Sequence, residues 1–247
     1  MKTAAVTGLR SCLRLLQNRT CDERWWNMKR KQEISNYEKM KNSMAEVFLR
    51  YDQKTMIRKF NLAHDEDCLY IRFLDRNYRI SRLNGKVSWS KDFFSTEEDA
   101  DYNEAMTIYD VLCCSKENCH LAHEWVNVGS LSAIQGGTLA KGSNFFQSAE
   151  KYFSGKVNAL AQACEILKGR KIEKGDAAYE LDIFSFLPIC VRFWDADEEF
   201  PASLQILVDK NILDYMHYET LMFALTHTLS RIREEMANGD LTEKDEI

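Results

Sequence analysis

Asp195, Asp197, Glu198 and Glu199 share one short loop, between an apolar run ending at Trp194 and another beginning at Leu204. Pro201 closes the loop. Carboxylates crowded at a bend have three chemical uses. In a structural use, Asp195 and Asp209 end strands and accept hydrogen bonds from turn amides, Pro201 restricts the return strand and Phe200 anchors the loop to the core. In a binding use, Asp197, Glu198 and Glu199 meet a cationic partner or a hard metal ion of the calcium or magnesium class. In an enzymatic use, one carboxyl raised in pKa beside Trp194 serves as an acid while another stays ionised. No recognisable nucleophile pair or oxyanion donor accompanies them, which ranks the enzymatic use third. The expected ligand-binding group is Trp194, Asp195, Asp197, Glu198, Glu199, Asp209 and Tyr215.

A second set of chemically able residues follows Tyr102: Cys113, Cys114, Cys119, His120 and His123. Thiolate and imidazole are the ligands zinc prefers, so Cys114, Cys119, His120 and His123 form the expected metal set. The spacing is not that of a zinc ribbon, and no second Cys-x-x-Cys supplies another half. The plainer reading is a helix end followed by a loop with incidental Cys and His. His217 precedes the last helix near Tyr215 and Glu219, with contact to the acidic loop as its functional alternative. His227 lies on that helix. Both read as structural histidines able to titrate near neutral pH. Arg72, Arg76, Arg79 and Arg82 read as a solvated sheet face, with an anion-binding patch as the alternative. Gly136-Gly137 lacks the spacing of a phosphate-binding loop, and Lys141 stands outside it.

The elements that must position these groups follow from periodicity. Tyr37, Met40, Met44, Val47 and Phe48 recur at helical spacing over 34–49, and Asp52 is placed to cap a second short helix. Residues 68–74, 78–83 and 87–89 alternate as strands, with a turn at Asp75-Arg76-Asn77 and a hairpin signal at Asn84-Gly85. After a polar linker over 95–101, a helix is expected over 102–114. Another is expected over 145–167, broken near Gly155 and ended by Gly169. Residues 177–183, 189–194 and 204–208 are strand-like, and 218–233 is helical. The tail past Glu234 is acidic and expected to fray. Hairpin-length links favour antiparallel pairing. The expected class is α+β, with antiparallel sheet flanked by helices and two possible α-β-β-β-α halves, 33–116 and 145–236.

The remaining organisation follows from composition. Residues 1–32 are rich in Arg and Lys and read as an accessory extension, with a transit peptide as the alternative and with Met28 able to serve as a start. Residues 33–236 form a single expected domain, and 237–247 an acidic tail. The formal charge of −5 offers no global attraction to nucleic acid or anionic membrane, so neither is an expected partner. No apolar run is long enough to span a bilayer. Eight cysteines without a secretion signal read as reduced thiols of a cytoplasmic protein.

The run Phe193-Trp194-Asp195-Ala196-Asp197-Glu198-Glu199-Phe200-Pro201, with Ile206-Leu207-Val208-Asp209, Tyr215-Met216 and Glu219, resembles the signature of domain of unknown function 3786, an uncharacterised bacterial family. Gly175-Asp176-Ala177-Ala178-Tyr179 and Trp125-Val126 fit the same pattern, from about Tyr37 to Ile232. The resemblance implies a source among largely anaerobic bacteria and no established activity. Some relatives carry an iron–sulfur module, but no ferredoxin-type Cys-x-x-Cys-x-x-Cys is present to receive it. The expected function is that of a ligand- or partner-binding accessory protein with the acidic hairpin loop as its site. The partner is an unspecified small molecule or protein, and no cofactor is specified. A metal-binding or redox accessory protein is the alternative, and a carboxylate enzyme the third reading.

Overall fold

The computed structural model describes residues 35–131 and 145–242. The basic extension, Gly136-Gly137 and Lys141 lie outside the described residues. Helix α1 (Asn36–Phe48) is capped by Ser35, whose hydroxyl accepts from Glu38 N–H, and it buries Ala45 and Phe48. Asp52 caps α2 (Gln53–Phe60), and Asn61 ends it in the left-handed conformation at φ 49°. A two-residue strand β1 (Ala63–His64) leads into the meander β2 (Cys68–Phe73), β3 (Arg76–Ser81) and β4 (Val87–Ser90). After β5 (Glu98–Asp99), helix α3 (Tyr102–Cys114) starts with a reciprocal capping box between Asp101 and Glu104. Strand β6 (Trp125–Asn127) precedes α4 (Gln147–Phe153), α5 (Val157–Ile166), β7 (Arg170–Lys171), β8 (Ala177–Phe184), β9 (Leu187–Trp194) and β10 (Ser203–Asp209). Short α6 (Ile212–Tyr215) and long α7 (Tyr218–Thr242) complete the chain.

The ten strands among the described residues form one antiparallel sheet of order β5-β4-β3-β2-β8-β9-β10-β6, with β1 on β2 and β7 on β8. The expected α+β class is therefore the observed one. Two helices, a two-residue strand and a three-stranded meander occur in that order twice, each followed by a long helix. The meanders meet at their first strands and run outward from there. The junction is narrow. Phe73 faces Phe184 as the single register pair, and Leu74 N–H donates to Ile183 O at 3.0 Å. Stacked rings reinforce it, with Phe73 and Phe184 centroids 4.9 Å apart.

One core joins the layers. Leu69, Ile71 and Phe73 of β2, Tyr78 and Ile80 of β3, Ile189, Val191 and Phe193 of β9, and Ile206 and Val208 of β10 all belong to it. They follow the two-residue period of a sheet with one face covered. Leu221, Ala224, Leu225 and Ile232 of α7 bring the helical stripe to the same core, and α7 packs on α3 and α5. Among the described residues, no helix is long and apolar enough to cross a membrane.

The break expected near Gly155 is observed: Gly155 at φ +74° separates α4 from α5, and Asp195 holds it. Three local expectations change. Helix α7 continues past Glu234 to Thr242, where fraying was expected. The turn expected at Asp75-Arg76-Asn77 sits at Leu74 and Asp75, both at positive φ, so Arg76 opens β3 and faces inward. Trp125–Asn127, without an expected element, is an edge strand on β10. The hairpin turn at Gly85 carries a sharp constraint. Its φ is +73°, and a Cβ there would lie 2.5 Å from Ala45 O. Gly85→Ala is expected to cost about 2 kcal/mol or more, read as a lowered urea midpoint at unchanged slope.

Candidate functional site

The acidic loop sits where expected, between β9 and β10, but Asp195 and Asp197 are engaged by backbone amides. Asp195 accepts from Gly155 N–H at 2.9 Å, Ala196 N–H at 2.8 Å and Ser154 Oγ at 3.1 Å. Those donors, Gly155 first, hold its carboxyl below the ordinary aspartate value. Asp197 Oδ1 accepts from Glu199 N–H and Phe200 N–H, closing a side-chain turn. Asp176 in turn accepts from Asp195 N–H at 2.7 Å. Glu198 and Glu199 are exposed. Phe200 is 65% exposed, so it does not anchor the loop to the core as expected. Trp194 alternates away from buried Phe193 and is half-exposed.

Asp209 and Tyr215 are not beside this loop. Val208 pairs with Ile189 and Ser203 with Trp194, so the strand carries Asp209 to the opposite end of the hairpin. Six residues of strand put it about 20 Å from the loop end of β10. Asp209 is buried there and accepts from Ala122, His123 and Asn211 N–H at 2.8–2.9 Å. It braces the chain before β6 and after β10, as the structural reading of this residue expected. Asp209→Ala strands three amide donors and is expected to cost about 2–3 kcal/mol, measurable by chemical denaturation. Tyr215 is buried and its ring stacks on Phe186.

Asp195 does border a cleft. A cavity of about 580 Å³ opens where the α4–α5 break, the acidic loop and α7 meet. Asp195, Val157, Gln162, Ile166, Glu235 and Met236 line it. Lys156 also borders it, but its ammonium lies 4.1 Å from the Tyr152 ring centroid. Glu235 pairs with Arg231 at 2.7 Å along α7. The cleft therefore joins carboxylate and apolar surface in one concavity, within the usual size range of ligand pockets.

A buried polar network lies elsewhere, between β3, α3 and α7. The four arginines expected on a sheet face are dispersed and partnered. Arg72 pairs with Asp75, Arg79 with Glu97 at 2.7 Å, and Arg82 bonds to Gln53 and Asp65 O. Arg76 is buried, pairs with Glu104 at 2.9 Å and Glu234 at 3.0 Å, and stacks 3.7 Å from the Trp89 centroid. Tyr78 OH donates to Glu104 Oε1 at 2.7 Å, while Glu104 Oε2 accepts from Asp101 N–H. Burial drives the His227 pKa down to about 3, and the charges of Arg76 and Arg231 add to that. Its 3.7 Å approach to Glu104 is thus a contact of a neutral ring, not an ion pair. The Arg76 guanidinium already sits on Glu104 at 2.9 Å, so the group of Asp101, Glu104 and His227 holds its own cation.

The expected metal set is not gathered. Cys119 is partly buried against the core, His120 bonds to Asn118 O and Asn211, and His123 N–H is held by Asp209. Among the described residues, none of these three joins Cys114 in a group of three close ligand atoms. Cys114 instead approaches Asp110 and His217. His217 bonds to Asp110 rather than to the acidic loop. Nothing local in the sequence signals that pairing, because Asp110 and His217 stand 107 positions apart.

The fold and its sites define an α+β protein built on one continuous antiparallel sheet, with a carboxylate-lined cleft at one hairpin loop. The family described as Domain of unknown function (DUF3786) matches residues 52–231, and the chain belongs to it. That span holds the hairpin, the cleft's Asp195 and the group at Asp110. No curated protein and no solved structure matches the chain.

Proposed function

We propose that this chain is a binding accessory protein that takes a small ligand in the cleft beside Asp195. The carrying observation is the concavity of about 580 Å³ between the α4–α5 break and α7. Asp195 and Glu235 offer negative charge there, while Val157, Ile166 and Met236 offer apolar surface. A ligand with an amine or guanidinium head and a short apolar body matches both. The exposed glutamates of the loop, Glu198 and Glu199, add a negative field that draws cations toward the cleft without entering it. Because Asp195 also holds the α4–α5 break, a variant at Gln162 tests the cleft with less risk to the fold. Agmatine, arginine and spermidine at millimolar concentration serve as probes in thermal unfolding. At least one should raise the melting temperature of the wild type, as any native-state ligand must. Gln162→Trp, which places an indole in the cleft, should abolish that rise. If no probe shifts the wild type, or the shift persists in Gln162→Trp, the reading fails.

A further inference from the structure

The last turn of α3 holds groups that the cleft does not use. Asp110 and Cys114 stand four residues apart and so share one face of the helix. The turn into α7 lays His217 across that face. Its Nδ1 lies 2.7 Å from Asp110 Oδ1, and its backbone N–H donates to Asp110 Oδ2 at 2.7 Å. The Cys114 thiol and the Thr220 hydroxyl also neighbour Asp110. One ligand atom from each of Asp110, Cys114 and His217 lies within 4.8 Å of the other two. Asp110 is buried, whereas Cys114 and His217 are exposed. The carboxylate therefore forms a fixed floor, with the thiol and imidazole at the solvent side.

From this placement we infer that Asp110, Cys114 and His217 form a binding site for one transition-metal ion of the zinc class. Carboxylate oxygen, thiolate sulfur and imidazole nitrogen are the three ligand types such an ion accepts. Calcium and magnesium are disfavoured, since they take oxygen ligands and shun thiolate. Three protein ligands leave one tetrahedral position open to solvent, the arrangement of a reactive rather than a closed structural ion. The rim is pre-oriented before any ion arrives. Asp110 anchors the His217 backbone and ring together, and the helix fixes Cys114 one turn from Asp110. Binding replaces hydrogens now shared with Asp110. The metal–sulfur bond forms as the thiol proton leaves to solvent, and the metal–nitrogen bond forms at an unprotonated ring nitrogen. The site is independent of the cleft. His217 and Glu235 are about 27 Å apart along the axis of α7.

Cobalt(II) tests the site, because thiolate coordination gives it a near-ultraviolet charge-transfer band. The full chain, kept reduced, is titrated with cobalt alone, and zinc affinity is read by competition with a chromophoric chelator. Wild type should bind one equivalent with the band. Cys114→Ser should lose the band and bind zinc about a hundredfold or more weaker, and His217→Ala should keep the band at similarly weakened affinity. Cys119→Ser should match wild type. Both altered ligand side chains are exposed, and circular dichroism verifies that each variant is folded. A wild type without the band, a band that survives Cys114→Ser, or one that vanishes only with Cys119→Ser would overturn the site. Should Cys114→Ser fail to fold, unchanged zinc affinity in His217→Ala overturns it and a hundredfold loss sustains it.

Discussion

Replacing Glu104 by alanine is expected to lower the free energy of unfolding by about 3–4 kcal/mol, the cost of breaking a buried ion pair from one side. The carboxylate receives the Arg76 guanidinium at 2.9 Å, the Tyr78 hydroxyl at 2.7 Å and the Asp101 amide at 2.7 Å. Alanine leaves a buried phenol and a helix-start amide without that acceptor, and Arg76 keeps Glu234 as its carboxylate and Trp89 as its stacking partner. The loss is structural, because Glu104 joins β3 to the start of α3 while Arg76 carries the link on to α7. Burial raises the Glu104 carboxyl above its ordinary value, with Asp101 adding to the rise, so the charge itself is held at a cost. A double variant, Arg76→Met with Glu104→Leu, should therefore cost less than the sum of the two single changes. Urea unfolding of the four proteins measures the coupling. Additive costs would mean that the two groups do not sense each other.

The physical reach of each signal decides which of these features the sequence reveals. The β9–β10 hairpin is readable because its cues are adjacent: two runs rich in β-branched and aromatic residues flank a polar loop. The same holds for Asp52 as a cap and for Asn84-Gly85 as a turn. Arg76 escapes because Asp75 and Asn77 are common turn residues, yet Leu74 and Asp75 take the positive φ angles. Moving the turn by one residue sends Arg76 into the core, since alternation along β3 places 76, 78 and 80 on one face. Strand β6 is three residues long and is defined only by pairing with Leu207, Val208 and Asp209. The meeting of β2 with β8 rests on one register pair, which no periodicity can announce. At the chemically able residues the difficulty is the same. Cys114 reads naturally with the cysteine and histidines after it, while its neighbours in space are Asp110, one turn back, and His217 at the start of the last helix. Asp209 belongs to the acidic group by sequence distance and leaves it by strand length.

Acidification should weaken the fold through His227 more than its place among conventional core residues suggests. In the unfolded chain this ring titrates near its ordinary value of 6.5, whereas burial, then Arg76 and Arg231, lower it in the fold to about 3. Between those values the unfolded chain holds a proton that the native protein refuses, so stability falls as pH falls. The difference amounts to about 2 kcal/mol between pH 7 and pH 5, and grows to about 4 kcal/mol at pH 3. Other groups move in the same range. Glu104, raised in the fold, acts in the opposite sense. His217, raised first by its bond to Asp110, gives stability that is complete below 6.5 and lost as pH rises through its folded value. Comparison with His227→Gln removes these shared terms. Wild type should lose about 2 kcal/mol more than the variant between pH 7 and pH 5, measured by urea unfolding at each pH. Parallel profiles would show a ring protonated inside the fold, and the 3.7 Å approach to Glu104 would then be a true ion pair held against two arginines.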